Sequence, residues 1–333
     1  MHRVVITDCL EPPALIEEAT LDGLATIDCL QAKSIDGLRG NLADADAIIL
    51  YHEVTLPNDI LEECKQCQVI VRGGVGYDNV DIQAAGERGI MVCNVPDYGV
   101  DEVADHAIGS MLALVRGFVI ADRRLRKSTT LLPWDRNDIG PVRRLSQTTL
   151  GLIGCGRIGS ATALRAKALK LRVLVYDPYL RPGTEKVLGV ERVELDDLLK
   201  QSDVVSLHTP LTEETHHLIN ADRLAQMKSD AYLINTSRGA VIDTAALARS
   251  LQAGHLSGAA IDVLEEEPPN PSDPLVALWQ SDPDPLINLM ITPHTAYFSN
   301  AGLAEIREKS SAEIARVLRG EQPYNVVNQE WLR

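Results

Sequence analysis

The chain has 333 residues, 45% of them hydrophobic and 24% charged, with a formal net charge of −15. That length suggests about two domains, the composition is globular, and the charge opposes binding to nucleic acid or to an anionic membrane surface. No apolar run approaches the ~20 residues that span a bilayer. The opening MHRVVITDC lacks the basic start and apolar stretch of a secretory signal. A cytoplasmic protein with reduced cysteines is the expectation.

In the first hundred residues, short apolar runs alternate with helical patterns. RVVIT (3–7), ATIDC (25–29), AIIL (47–50) and VIV (69–71) read as buried strands. This alternation predicts a parallel sheet covered by helices. Cys64 and Cys67 form a lone CxxC on a helix-like segment; no second pair follows, so no metal site is assigned. From Val100 to Phe118 apolar residues fall on nearly every face, which predicts a buried helix at the junction between domains. The Pro-, Asp- and Arg-rich loop TTLLPWDRNDIGPVRRL (129–145) comes next.

A second alternation then begins. TLGLIG (149–154), RVLVYD (172–177), VVSLH (204–208), AYLIN (231–235), GAAIDV (258–263) and LMITPH (289–294) read as six strands. Residues 268–285 read as a surface connection rich in Pro and Asp. From Ser299 to Arg319 the pattern fits one amphipathic helix, ended by Gly320.

Gly154, Gly156 and Gly159 form a GxGxxG that follows a strand and opens a helix. In that context the first glycine permits the tight turn. The second lets backbone amides approach a pyrophosphate, and the third lets helix and strand pack closely. The anion then lies at the positive end of the helix. Asp177 ends the next strand, 18 residues after Gly159. An acid there hydrogen-bonds ribose hydroxyls and repels a 2′-phosphate, which favours NAD over NADP. His208 and Thr209, then Thr236 and Ser237, then Asp262 end later strands and are expected to face the cofactor, since ligands of open parallel sheets bind beyond the carboxyl ends of strands.

Arg238, Glu267 and His294 lie at or just after predicted strand ends of this second sheet. A guanidinium binds a carboxylate in bidentate fashion. An imidazolium donates a proton as a hydride arrives, and a neighbouring carboxylate favours the charged ring. Taken singly, each also reads as an ion-pair partner, a solvated acid of the run Glu265-Glu266-Glu267, or a turn histidine.

The sequence resembles the D-isomer-specific 2-hydroxyacid dehydrogenases. The matching runs are RGGVGYDNVD (72–81), VCNVPDYGVDEVADHAIGSML (92–112), TLGLIGCGRIG (149–159), VLVYDPY (173–179), LHTPLTEETHHLIN (207–220), LINTSRGAVID (233–243), GAAIDVLEEEP (258–268) and TPH (292–294). They span nearly the whole chain in family order. Within the family, YHEVTLP (51–57), YDPYLRPG (176–183), THHLIN and PHTAYFS (293–299) look most like the C-terminal-binding-protein branch.

The resemblance implies that Arg238 binds the substrate carboxylate, that His294 is the proton donor in reduction and the base in oxidation, and that Glu267 is its partner. It implies cofactor contacts from Arg157, Ile158, Thr215 and the segment from His294 to Tyr297. It implies that the amides of Gly74, Val75 and Gly76 meet the carboxylate, with Arg72 as a second cation and His52 at the substrate cleft. Tyr297 stands where that branch carries tryptophan, which suggests a more polar pocket. The implied architecture is α/β: two Rossmann-like or flavodoxin-like domains with parallel sheets and an active-site cleft between them. Residues 1–100 plus 297–333 would form the substrate domain and 101–296 the NAD-binding domain. A homodimer is implied, with the apolar helix and the loop around Trp134 as interface.

The leading expectation is an NAD-dependent dehydrogenase that interconverts a D-2-hydroxy acid and its 2-oxo acid. Two alternatives stand beside it. One is an NAD(H)-sensing scaffold like the co-repressors of the related branch, whose long flexible tail this sequence lacks. The other is a short-form phosphoglycerate dehydrogenase without an appended regulatory domain.

Overall fold

The computed structural model describes residues 1–128, 130, 134, 142–281 and 287–332. The chain divides into two compact units, Met1–Gly99 with Phe298–Arg333, and Val100–Tyr297.

In the first unit the strands are β1 (His2–Ile6), β2 (Ala25–Cys29), β3 (Ala47–Leu50), β4 (Val69–Arg72) and β5 (Met91–Asn94), with helices α1 (Leu15–Thr20), α2 (Asn58–Leu61) and α3 (Ile82–Glu87) between them. All strands are parallel, in the order β2-β1-β3-β4-β5. The central strands are buried on both faces, which explains their continuous apolar runs. β5 was missed from sequence, although its run MVCN is as short and almost as buried as those of β3 and β4. Cys64 and Cys67 lie in turns after α2 and pack into the core, where burial pushes the Cys64 thiol up to about 11.

In the second unit α4 (Val100–Val115) is the helix predicted over 100–118, and α5 (Phe118–Lys127), which was not predicted, follows it. The break falls at Gly117, whose φ of 66° ends the helix. α4 buries Val103, Ala104, Ala107, Ile108, Met111, Leu114 and Val115, as its all-round apolar pattern requires. Apart from Thr130 and Trp134, residues 129–141 lie outside the described residues, and with them most of the loop read as an interface.

There follow β6 (Thr149–Ile153), α6 (Arg157–Ala168), β7 (Arg172–Tyr176), α7 (Thr184–Leu188), β8 (Glu191–Arg192), α8 (Leu195–Gln201), β9 (Val204–Leu207), α9 (Ala221–Gln226), β10 (Tyr232–Asn235), α10 (Thr244–Gln252), β11 (Gly258–Ile261), α11 (Pro274–Ser281) and β12 (Leu289–Ile291). They make a seven-stranded parallel sheet, β12-β11-β10-β9-β6-β7-β8. Six strands were expected; β8 is a two-residue polar edge with no apolar signal. Alternate residues feed opposite cores. Leu174, Val205, Leu233 and Ala259 face one, with α8, α9, α10 and α11. Val173, Val175, Val204, Tyr232 and Ile234 face the other, with α4 and α6. Strand order reverses between β6 and β9, the switch point where open sheets take ligands.

α12 (Asn300–Leu318) follows, with the Ser299 hydroxyl capping it through the Gly302 N–H at 2.8 Å. Arg307 on α12 grips the fully buried Glu17 of α1 with two hydrogen bonds of 2.7 and 2.6 Å. Removing either partner would leave a buried charge uncompensated. The buried Asn328 then accepts from Val92 N–H (2.9 Å) and donates to Ile90 C=O (2.9 Å), so the tail covers the β5 edge. Among the described residues no single helix is long and apolar enough to cross a membrane.

Candidate active site

The glycine turn joins β6 to α6 at the switch point. Gly154 has φ 92°, and a Cβ there would lie 2.5 Å from the His208 carbonyl oxygen. A Cβ on Gly159 would lie 2.2 Å from the Gly154 oxygen, so helix and turn touch. Around Gly156 the situation is opposite: a Cβ there would meet nothing within 4 Å. The turn is thus closed on its protein side and open above its middle glycine, at the N-terminus of α6, where Arg157 and Ile158 begin the helix.

Two further observations fit a dinucleotide. The Thr209 and Thr236 hydroxyls, just beyond β9 and β10, are buried and have no hydrogen-bond partner among the described residues. Buried hydroxyls are normally paired, so these two suit a polar ligand along the strand ends. The Asp177 carboxylate accepts from Cys155 N–H (2.8 Å) and Tyr179 N–H (2.9 Å), which ties the end of β7 to the glycine turn. Asp177→Ala is expected to weaken NADH binding and to shift the NADH-to-NADPH preference by about tenfold toward NADPH, since one charge repelling a 2′-phosphate is lost. Titration of both cofactors checks it; an unchanged preference removes Asp177 from cofactor selection.

Other predicted cofactor residues shape the loops themselves. The Thr215 hydroxyl closes its own turn, donating to Pro210 C=O at 2.6 Å and accepting from Thr212 N–H at 2.7 Å. Ser237 bonds Asn235 Oδ1 through its hydroxyl (2.8 Å) and its N–H (2.9 Å). His208 contacts Ser206 Oγ at 3.0 Å, and burial pushes its imidazole from 6.5 down to about 4. A histidine with a depressed folded-state value contributes stability that is complete above about 6.5 and is lost as pH falls toward 4. His208→Asn should therefore narrow the gap between the melting temperatures at neutral pH and at the acid end of that window. Thermal scans at both pH values check this; an unchanged gap contradicts it.

Arg238, Glu267 and His294 come together beyond β10, β11 and β12. His294 Nδ1 lies 2.6 Å from Glu267 Oε2, and Glu267 Oε1 accepts from Leu264 N–H at 2.8 Å. Burial alone would raise the Glu267 carboxyl. The His294 hydrogen bond and charge, the Leu264 N–H and the Arg238 charge outweigh it and hold the group below the usual carboxylate range. The fully buried Asn235 shapes the turn carrying Arg238, donating to Arg238 C=O at 2.8 Å.

β12 ends at Ile291, earlier than expected, and His294 beyond it adopts φ 51°. That left-handed conformation is costly for a non-glycine residue and persists where its surroundings enforce it. Here Asp262 enforces it. Its carbonyl accepts from His294 N–H (2.8 Å), and its carboxylate accepts from Thr295 N–H (3.0 Å), Ala296 N–H (2.9 Å) and Thr292 Oγ1 (2.5 Å). Asp262 is buried rather than solvated, and His106 Nε2 adjoins the same cluster, 3.3 Å from Thr292 Oγ1. The Tyr297 ring stands edge-on to His294, with centroids 6.1 Å apart. Sequence reasoning missed the anchoring role of Asp262; the only local signal is its place at a strand end.

In the first unit, the buried Arg72 guanidinium folds over the glycine loop. It donates to Gly73 C=O (3.1 Å) and Asn79 Oδ1 (3.4 Å) and fills the space beside Gly74. Asn94 donates to Val75 C=O at 2.7 Å. Gly76 is half-buried and Val75 exposed. The exposed His52 sits beyond β3, with Nδ1 3.8 Å from Cys9 Sγ. Asp8, Cys9 and Glu53 also converge there. The Asp8 oxygens, however, accept from Tyr51 N–H and Glu53 N–H, and Lys33 pairs with Glu53 at 2.6 Å. Burial, then the Asp8 charge, pushes the Cys9 thiol up to about 12, so this cluster anchors turns.

A glycine cradle at the switch point of a parallel sheet, with an imidazole–carboxylate pair and a guanidinium at neighbouring strand ends, defines a dinucleotide-dependent oxidoreductase. Comparison with known proteins specifies which. Residues 108–296 match the family described as "D-isomer specific 2-hydroxyacid dehydrogenase, NAD binding domain". A glyoxylate reductase of Korarchaeum cryptofilum is 40% identical over 291 residues, covering 86% of this chain and 84% of that one. A glyoxylate reductase of Thermofilum pendens is 38% identical over 302 residues, covering 90% and 86%. The crystal structure of D-lactate dehydrogenase from Aquifex aeolicus, complexed with NAD and lactic acid, superposes with a TM-score of 0.85 at 32% identity, covering 98% and 97%. The chain belongs to the D-isomer-specific 2-hydroxyacid dehydrogenase family and is an NAD-dependent oxidoreductase.

Proposed function

We propose that this protein interconverts a small 2-oxo acid and its D-2-hydroxy acid, with Arg238, Glu267 and His294 as its catalytic residues. The observation that carries the reading is the 2.6 Å contact between His294 Nδ1 and Glu267 Oε2, beside Arg238. NADH, when bound, supplies the hydride. Arg238 holds the substrate carboxylate with paired hydrogen bonds and polarises the adjacent carbonyl. Nδ1 of His294 is committed to Glu267, so Nε2 carries the proton delivered to the carbonyl oxygen; in oxidation it takes that proton back. Glu267 holds the ring in orientation through its Nδ1. The names of the relatives, glyoxylate reductase and D-lactate dehydrogenase, favour a substrate with a very small side chain.

The direct test is the loss of NADH absorbance with glyoxylate, pyruvate, hydroxypyruvate, phenylpyruvate, 2-oxoglutarate and 3-phosphohydroxypyruvate. Rapid turnover of one of the first three is expected. Preference for the phosphorylated acid would instead support the phosphoglycerate reading. Inertness toward all of them, with tight NADH binding, would support the scaffold reading.

Glu267→Gln gives a second check through pH. A neutral amide no longer favours imidazolium, so the proton leaves at lower pH. The reductive kcat/KM profile is expected to move down by about one pH unit or more. A profile that superimposes on wild type takes Glu267 out of the mechanism.

A further inference from the structure

Glu267 lies in a run of three glutamates, and the first of them is built into the fold just as firmly. Glu265 Oε1 accepts from the Thr244 N–H (3.1 Å) and hydroxyl (2.8 Å), at the first turn of α10. Its Oε2 contacts His217 Nε2 at 3.0 Å. Burial alone would raise the Glu265 carboxyl; His217 and Thr244 outweigh that and hold it low. His217 itself has φ 46°, and its N–H donates to Ala240 C=O at 2.7 Å. The Leu264–Glu265 peptide packs on the turn after Arg238 so closely that a Cβ on Gly239 would lie 1.9 Å from the Leu264 carbonyl carbon. One carboxylate thus joins the loops beyond β9, β10 and β11, and these carry His217, Arg238 and Glu267. The residue before Glu265 carries the Leu264 N–H that donates to Glu267 Oε1 at 2.8 Å.

We propose that Glu265, gripped by His217 and Thr244, is a positioning residue that keeps the Glu267 carboxylate in register with His294 and the Arg238 turn in place. The proposal rests on the reading of Glu267 and His294 as a proton-transfer pair. An ordinary surface His–Glu pair would contribute little. This one differs because its other oxygen is bound to the buried Thr244 and the residue next to it in the chain, Leu264, donates its N–H to Glu267. Among the described residues, His217 pairs with Glu265, His216 stacks on His217 at 4.1 Å, and Glu267, two residues along the same loop, meets His294 and the Arg238 charge.

The test uses the full chain and the variants Glu265→Ala, Glu265→Gln and His217→Gln. The first readout is the NMR titration of the His294 imidazole, identified by its disappearance in His294→Gln. The second is the pH profile of kcat/KM. In Glu265→Ala the His294 titration curve is expected to depart from that of wild type, because its carboxylate partner is no longer held in register. kcat/KM should fall by about tenfold or more, because small misplacements of catalytic groups are costly. The NADH dissociation constant should stay within about twofold of wild type. Glu265→Gln still accepts from Thr244 and should recover most of the loss. If Glu265→Ala does not fold, His217→Gln, at a half-exposed partner, carries the test with a smaller departure of the same kind. A folded variant whose His294 titration and pH profile both superimpose on wild type overturns the proposal. Absence of turnover in wild type would defeat the dehydrogenase reading instead, while the titration still decides the positioning role.

Discussion

His294→Ala is expected to lower kcat for 2-oxo acid reduction by about 10²–10⁴-fold, the range that a positioned general acid contributes. The NADH dissociation constant should change little, because the cradle around Gly156 and the Thr209 and Thr236 hydroxyls belong to other loops. Two structural facts make the loss large. The backbone at His294 is held at φ 51° by the Asp262 cluster, and Nδ1 of the ring is spent on Glu267, so the imidazole is fixed in one orientation. Steady-state kinetics beside fluorescence titration of NADH separate the two effects. A loss below about threefold would mean that the proton comes from elsewhere.

Arg238→Ala should lower kcat/KM by about 10²-fold or more, since truncating one partner of a desolvated charge pair costs about 2–5 kcal/mol. Both kcat and KM are expected to suffer, because the guanidinium binds the carboxylate and polarises the carbonyl together. The effect also reaches Glu267, whose ionisation the Arg238 charge supports. Arg238→Lys should recover only part of the loss: an ammonium is a point charge without the planar fork. Kinetics on the best substrate of the panel check this. Full recovery by lysine would show that the charge alone matters and the bidentate geometry does not.

The elements legible from sequence are those whose cause is local. Strands such as AIIL (47–50) and VVSL (204–207) are buried on both faces and so read as plain apolar runs. The glycine turn shows because close contacts at Gly154 and Gly159 admit no side chain. α12 shows through its period and its Ser299 cap. β8 escapes because its two polar residues carry no apolar signal, β5 was passed over although MVCN is a buried run of the same kind, and α5 lies beyond the apolar run that marks α4. At the site, Arg238, Glu267 and His294 were legible as strand-end residues and through the family motifs. Their supports were not. Asp262 works through backbone amides more than 30 residues later, and Glu265 meets His217 across 48 residues. Such contacts depend on loop packing, which no local pattern encodes.

The central claim, that this site reduces 2-oxo acids to the D-isomer, is tested most directly by product chirality. Purified protein is incubated with NADH and whichever of pyruvate or hydroxypyruvate turns over faster, and the hydroxy acid is resolved on a chiral column. The account predicts the D-isomer alone, formed in step with NADH loss and abolished in His294→Ala. Formation of the L-isomer, or product formation that survives His294→Ala, would contradict it.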